Sequence, residues 1–162
     1  MNICGIWRRS LSCVLSVGGS ALITFSLPGP VMAASNVIEL TQVPCQFLES
    51  EKGIDHGYKS MKKADCEAIN AKTGEQRLSA SKAIVLQPGD YIFRVTNRNV
   101  PYDLGFWLRG DGVVAFATLP SVSGGGLSMG KTRDYRITLK PGNYIYSCPL
   151  NPTPNYKLVV KQ

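Results

Sequence analysis

One short segment occurs twice in this chain. Leu86-Gln87-Pro88-Gly89-Asp90-Tyr91-Ile92-Phe93 returns as Leu139-Lys140-Pro141-Gly142-Asn143-Tyr144-Ile145-Tyr146. Proline presets φ at the second position of a tight turn and glycine supplies positive φ at the third, so each copy reads as a turn feeding an extended strand. Alternation then takes over. Tyr91, Phe93 and Val95 share one face, as do Tyr144, Tyr146 and Cys148, and Tyr135, Ile137 and Leu139 alternate with Arg136, Thr138 and Lys140. A period of two is the pattern of a half-buried strand. Residues 36–43, 103–109, 113–119 and 155–160 read as strands as well. About seven short strands joined by turns predict an all-β chain folded as a Greek-key β-sandwich. Sixteen Gly and ten Pro against two Trp agree with many tight turns.

The amino-terminal residues read as an address. Arg8 and Arg9 precede an apolar, small-residue run from Leu11 to Leu27, Pro28-Gly29-Pro30 breaks it, and Val31-Met32-Ala33 suits a signal peptidase. These are the three parts of a secretory signal. Arg8-Arg9 lacks the rest of a twin-arginine motif, so the expectation is ordinary secretion to a bacterial periplasm. Residues 1–33 are then removed, residues 34–162 form one domain, and no membrane span follows cleavage. The formal charge of +7 falls once Arg8 and Arg9 are lost, and what remains is spread along the chain. Export and the absence of a basic cluster together exclude nucleic acid as a partner.

Cleavage also removes Cys4 and Cys13 and leaves Cys45, Cys66 and Cys148. An oxidising compartment favours one bridge. Cys45–Cys66 is the preferred pair, and Cys45–Cys148 stays open. Cys45 stands at the head of residues 46–82, a charged stretch that reads as a loop-rich surface insertion with one short helix within Lys59 to Ala71. A bridge closing about 20 residues stabilises by roughly 3 kcal/mol on a chain-entropy argument, before strain.

Residues Gly125-Gly126-Leu127-Ser128-Met129-Gly130-Lys131-Thr132 match the spacing of a phosphate-binding loop. That chemistry needs a helix N-terminus after the loop, whereas Thr132 to Lys140 alternates as a strand. The stretch is read as a Gly-rich connection between strands.

Two segments carry a family resemblance. Val100-Pro101-Tyr102-Asp103 follows a strand ending Val95-Thr96-Asn97, and Leu139 to Ser147 leads into Cys148. In this order they resemble the cupredoxins, the blue-copper β-sandwich family, and most of all the small exported cupredoxin-like domains found alone or attached to periplasmic metal-uptake proteins. The resemblance covers about residues 83–160, with strand 36–43 fitting the first strand. It implies a copper ligand at Cys148 and places Tyr102 where the family has its first histidine. The loop Pro149-Leu150-Asn151-Pro152-Thr153-Pro154 lacks the family's second His and its Met. A blue-copper centre requires two imidazoles and a thiolate in a trigonal plane. The ligand set is therefore degenerate.

His56, the single histidine, lies in the polar insertion and reads as a solvated surface residue. Met61 and Met129 are thioethers suited to Cu(I), though a loop Met commonly packs. No triad or zinc spacing appears, and Asp103 has no evident second carboxylate, so catalysis is not expected. The sequence reading is an exported, non-enzymatic binding or accessory module without a cofactor, working with an unidentified periplasmic protein in a metal-handling or redox setting. The alternative is a copper protein using Cys148 with non-standard partners such as Met129. A weaker reading is a stabilising subunit of an envelope complex, anchored by Trp107 or Phe106 next to Arg109, one of the pair facing the core.

Overall fold

Burial follows the alternation strand by strand in the computed structural model, which describes residues 36–162. The expected secretion signal, residues 1–33, lies outside the described residues. Four strands make one sheet: β1 (Asn36–Val43), β2 (Gln46–Phe47), β4 (Gly89–Asn97) and β7 (Thr132–Leu139), in the order β2-β1-β4-β7. The other holds β3 (Ile84–Leu86), β5 (Leu104–Gly110), β6 (Val122–Leu127), β8 (Gly142–Ser147) and β9 (Tyr156–Val160), ordered β3-β9-β8-β5-β6. β1 runs parallel to β4 and β3 to β9, and the other pairs are antiparallel. The chain passes from one sheet to the other at β2–β3, β3–β4, β4–β5, β6–β7 and β7–β8, as Greek-key sandwiches do. The β-sandwich expected from the alternation is what the chain forms.

The inner faces meet in an aromatic core. Phe47 lies edge-on to Tyr146 and Tyr156, while Phe106 packs on Phe93 and Tyr135. Fully burying one such side chain contributes about 1.5–3 kcal/mol. Tyr135, Ile137 and Leu139 of β7 are buried and their even-numbered neighbours exposed. The two copies of the repeat also share a hydrogen bond. Tyr91 Oη donates to the Gln87 carbonyl at 3.0 Å, and Tyr144 Oη to the Lys140 carbonyl at 2.8 Å. Each tyrosine thus ties its strand to the turn that feeds it.

Three local expectations need correction. Residues 113–119 are not a strand: Val113–Thr118 is a short helix, α2. Gly110 explains it, since a Cβ there would sit 2.1 Å from the Ala115 carbonyl oxygen. Only a bare backbone lets the chain fold back over the end of β5. Secondly, the helix of the insertion, α1, spans Lys63–Ala80, starting later and ending later than expected, and the insertion is docked rather than superficial. Ser50, Glu51, Ser60, Cys66 and Arg77 are all buried. Thirdly, Gly124 to Leu127 belongs to β6 itself. A Cβ on Gly105 would lie 2.8 Å from the Gly124 carbonyl oxygen, so β5 and β6 approach closely beside the bulge between Leu104 and Phe106. β7 follows Met129-Gly130-Lys131 directly, and no helix stands where a phosphate loop requires one.

Candidate functional site at the Cys148 end

Strands β4 and β8 finish, and β5 begins, at one end of the sandwich. The buried side chain of Asn97 organises that end. Its Oδ1 accepts from the Val100 amide at 2.9 Å, and its Nδ2 lies 3.1 Å from the carbonyls of Val100 and Leu127 and 3.3 Å from that of Tyr102. The turn that presents Tyr102 is thereby pinned to β4 and β6.

Cys148 follows β8 and is the free cysteine among the described residues, buried. Its sulfur accepts from the Gly105 amide at 3.4 Å and the Asn151 amide at 3.2 Å. Burial pushes the Cys148 thiol above its ordinary range, by more than the amides of Gly105, Asn151 and Leu150 pull it back. A buried neutral thiol is a poor nucleophile and a poor metal ligand.

Cys45 and Cys66 form the expected disulfide, which seats α1 against this end. Asn151, buried in the Pro-rich loop, joins the pieces. Its Oδ1 accepts from the Cys45 amide at 2.9 Å and touches the Cys66 sulfur at 3.0 Å, and its Nδ2 donates to the Val43 carbonyl at 3.1 Å. The Tyr102 hydroxyl lies 2.5 Å from Ser60 Oγ, 3.3 Å from Asn151 Oδ1 and 3.9 Å from the Cys66 sulfur. Burial raises the pKa of Tyr102 despite the Ser60 hydrogen bond, so the phenol stays protonated. Tyr102, Cys148, Cys45 and Cys66 are therefore brought into one linked network.

The other expected metal donors are not. Met129 is 57% exposed on the turn before β7, and Met61 is 75% exposed. His56 is exposed, as expected, and it is also paired: Nε2 is 2.6 Å from Glu51 Oε2 and its ring stacks on Tyr58. No group of three His, Cys, Asp or Glu suited to a metal occurs among the described residues. One thiol, a protonated phenol and two backbone amides do not fit a blue-copper ion. Asp103 accepts from Ser128 Oγ at 2.7 Å.

A second cluster escaped the sequence reading. Arg77 of α1 and Glu51 form a buried ion pair at 2.7 Å. Arg77 also donates to the Cys45 carbonyl at 2.9 Å and to Asn70 Oδ1 at 2.7 Å, and the Tyr156 hydroxyl donates to Glu51. Burial alone would raise the Glu51 carboxyl, but Arg77, Tyr156 and His56 together hold it below its ordinary value. Glu51, Arg77 and His56 border a cavity of about 350 Å³ that Ile54, Thr73 and Ala80 also line. Cys45 bridges both clusters, its amide held by Asn151 and its carbonyl by Arg77.

No protein-family model and no curated protein matches the chain. Among solved structures it is similar to auracyanin B, with 12% sequence identity over 85% of this chain and 94% of that chain and a TM-score of 0.48. At such values the overlap leaves the ligand question to this chain's own residues.

Proposed function

We propose that this protein is an exported, non-enzymatic β-sandwich module that acts through its surface rather than through a metal. One observation carries the reading: the Cys148 sulfur is occupied by the Gly105 and Asn151 amides, and no imidazole joins it. Asn151 and the Cys45–Cys66 disulfide fill that end with groups that bond to each other. The amino-terminal pattern of residues 1–33 supports export, and among the described residues no helix is long and apolar enough to cross a membrane. A periplasmic protein partner in a metal-handling or redox system is the role the family resemblance suggests.

A copper protein built on Cys148 with non-standard partners is the second reading. It has one observation in its favour. Gln42 Oε1 is the buried side-chain polar atom without a partner among the described residues. Gln42 also donates through Nε2 to the Gly105 carbonyl at 2.8 Å, on the residue whose amide holds the Cys148 sulfur. Metal analysis of the purified protein, with thiol counting before and after unfolding, separates the two. The surface module predicts no copper and one thiol that reacts only after unfolding. Stoichiometric copper lost with Cys148→Ser favours the second reading.

A further inference from the structure

The opposite end of the sandwich carries an unusual element. α2 reads Val-Val-Ala-Phe-Ala-Thr and has no charged residue, yet none of its residues is buried. Val113 is 89% exposed, Val114 76% and Phe116 56%. A helix apolar on all sides is ordinarily covered. Here it packs on β5 and β8. Phe116 stands edge-on to Trp107 at 6.2 Å, and the Arg109 guanidinium lies over the other ring of that pair, 4.0 Å from the Trp107 centroid.

Cations border this apolar tip. Arg109, Ile145 and Lys157 lie in register across β5, β8 and β9, so Arg109 and Lys157 share the outer face of the sheet; the Arg109 guanidinium is held by Ser147 Oγ at 3.1 Å and Asn155 Oδ1 at 2.9 Å, while Lys157 is exposed. Lys140 is exposed in the turn before Gly142, a residue that Leu119 contacts just after α2. Asp111 is the acidic residue beside the helix. Two copies meeting through α2 would set these cations against each other, whereas an anionic surface would pair with them. Apolar side chains projecting from a cationic rim, with aromatic rings between, are the composition of an element lying in a membrane interface.

We propose that α2 is a peripheral docking tip for an anionic lipid surface, with Val113, Val114 and Phe116 entering the headgroup layer and Lys140 and Lys157 facing lipid phosphates. This inference is independent of the reading of the Cys148 end. It requires no covalent step and no conformational change.

The test is co-sedimentation of the full-length-expressed, purified protein with vesicles of phosphatidylcholine alone or mixed with phosphatidylglycerol. Binding should appear on the phosphatidylglycerol vesicles and weaken with salt. Each of Lys140→Gln and Lys157→Gln should reduce it by about fivefold, from roughly 1 kcal/mol per cation near such a surface. Val113→Asp/Val114→Asp should reduce it about tenfold or more. Both valines are largely exposed, so thermal melts of this variant should match the parent and exclude misfolding. No binding, equal binding to neutral vesicles, or binding indifferent to the valine substitutions overturns the proposal. So does a concentration-dependent dimer that the same substitutions abolish, since α2 would then face a second copy.

Discussion

The two ends of this sandwich solve opposite problems. At the Cys148 end almost every polar atom is matched. Asn97 holds the Tyr102 turn, Asn151 ties the loop to Cys45 and Val43, and the disulfide seats α1 over the strands. At the far end, α2 leaves apolar side chains exposed, with no covering element among the described residues. Low dielectric makes matched polar networks worth keeping intact and costly to break. Exposed valines contribute little to the folded state. The difference teaches that stability is concentrated at the Cys148 end, and that substitutions should separate the two ends sharply.

The largest effect is expected where the closed end meets α1. Arg77→Met leaves Glu51 buried without its cation and should cost about 3–5 kcal/mol in urea unfolding. Pairing it with Glu51→Leu should recover much of that loss, because both charges are then gone. Asn151→Ala comes next. It strands the Cys45 amide and the Val43 carbonyl, and about 2 kcal/mol is the expected penalty by the same measurement. At the open end, Val113→Asp should change stability by less than about 0.5 kcal/mol. Equal costs for Asn151→Ala and Val113→Asp would erase the contrast.

Acidity sharpens the comparison. Glu51 is held below the ordinary glutamate value of 4.5 in the folded chain. The unfolded chain therefore takes up its proton first as pH falls. The stabilisation is present in full above 4.5 and is lost as pH drops through the lower folded value. Unfolding free energy measured against pH should show a steeper acid limb for the parent than for Glu51→Gln. Parallel limbs would show that Glu51 is not the group being titrated.

Much of the sandwich was legible because a strand in a two-sheet fold writes its faces in alternate residues. Tyr91/Phe93/Val95 and Tyr135/Ile137/Leu139 needed no tertiary knowledge. The Pro-Gly repeat located the entry into β4 and β8. α2 was not legible, since a run such as Val113-Val114-Ala115-Phe116 suits a strand until the Gly110 contact with Ala115 is known. The site was legible in its cysteines, and in Tyr102 through the resemblance to the cupredoxins. Its connecting atoms were not. Asn151 bonds to a residue 106 positions away and Arg77 to one 26 away, and neither distance leaves a local pattern. A hint was present in Asn151 itself, an amide set between Pro149 and Pro152.

Cupric titration followed by visible absorption tests the central claim most directly, namely that the Cys148 end is closed by protein groups and has no blue-copper donor set. Intense absorption near about 600 nm arises from thiolate-to-copper charge transfer in a trigonal site with two imidazoles. The unmodified protein should develop no such band. Tyr102→His should not create one, because the loop 149–154 still supplies no second imidazole. A blue band in the unmodified protein that disappears in Cys148→Ser would contradict the account.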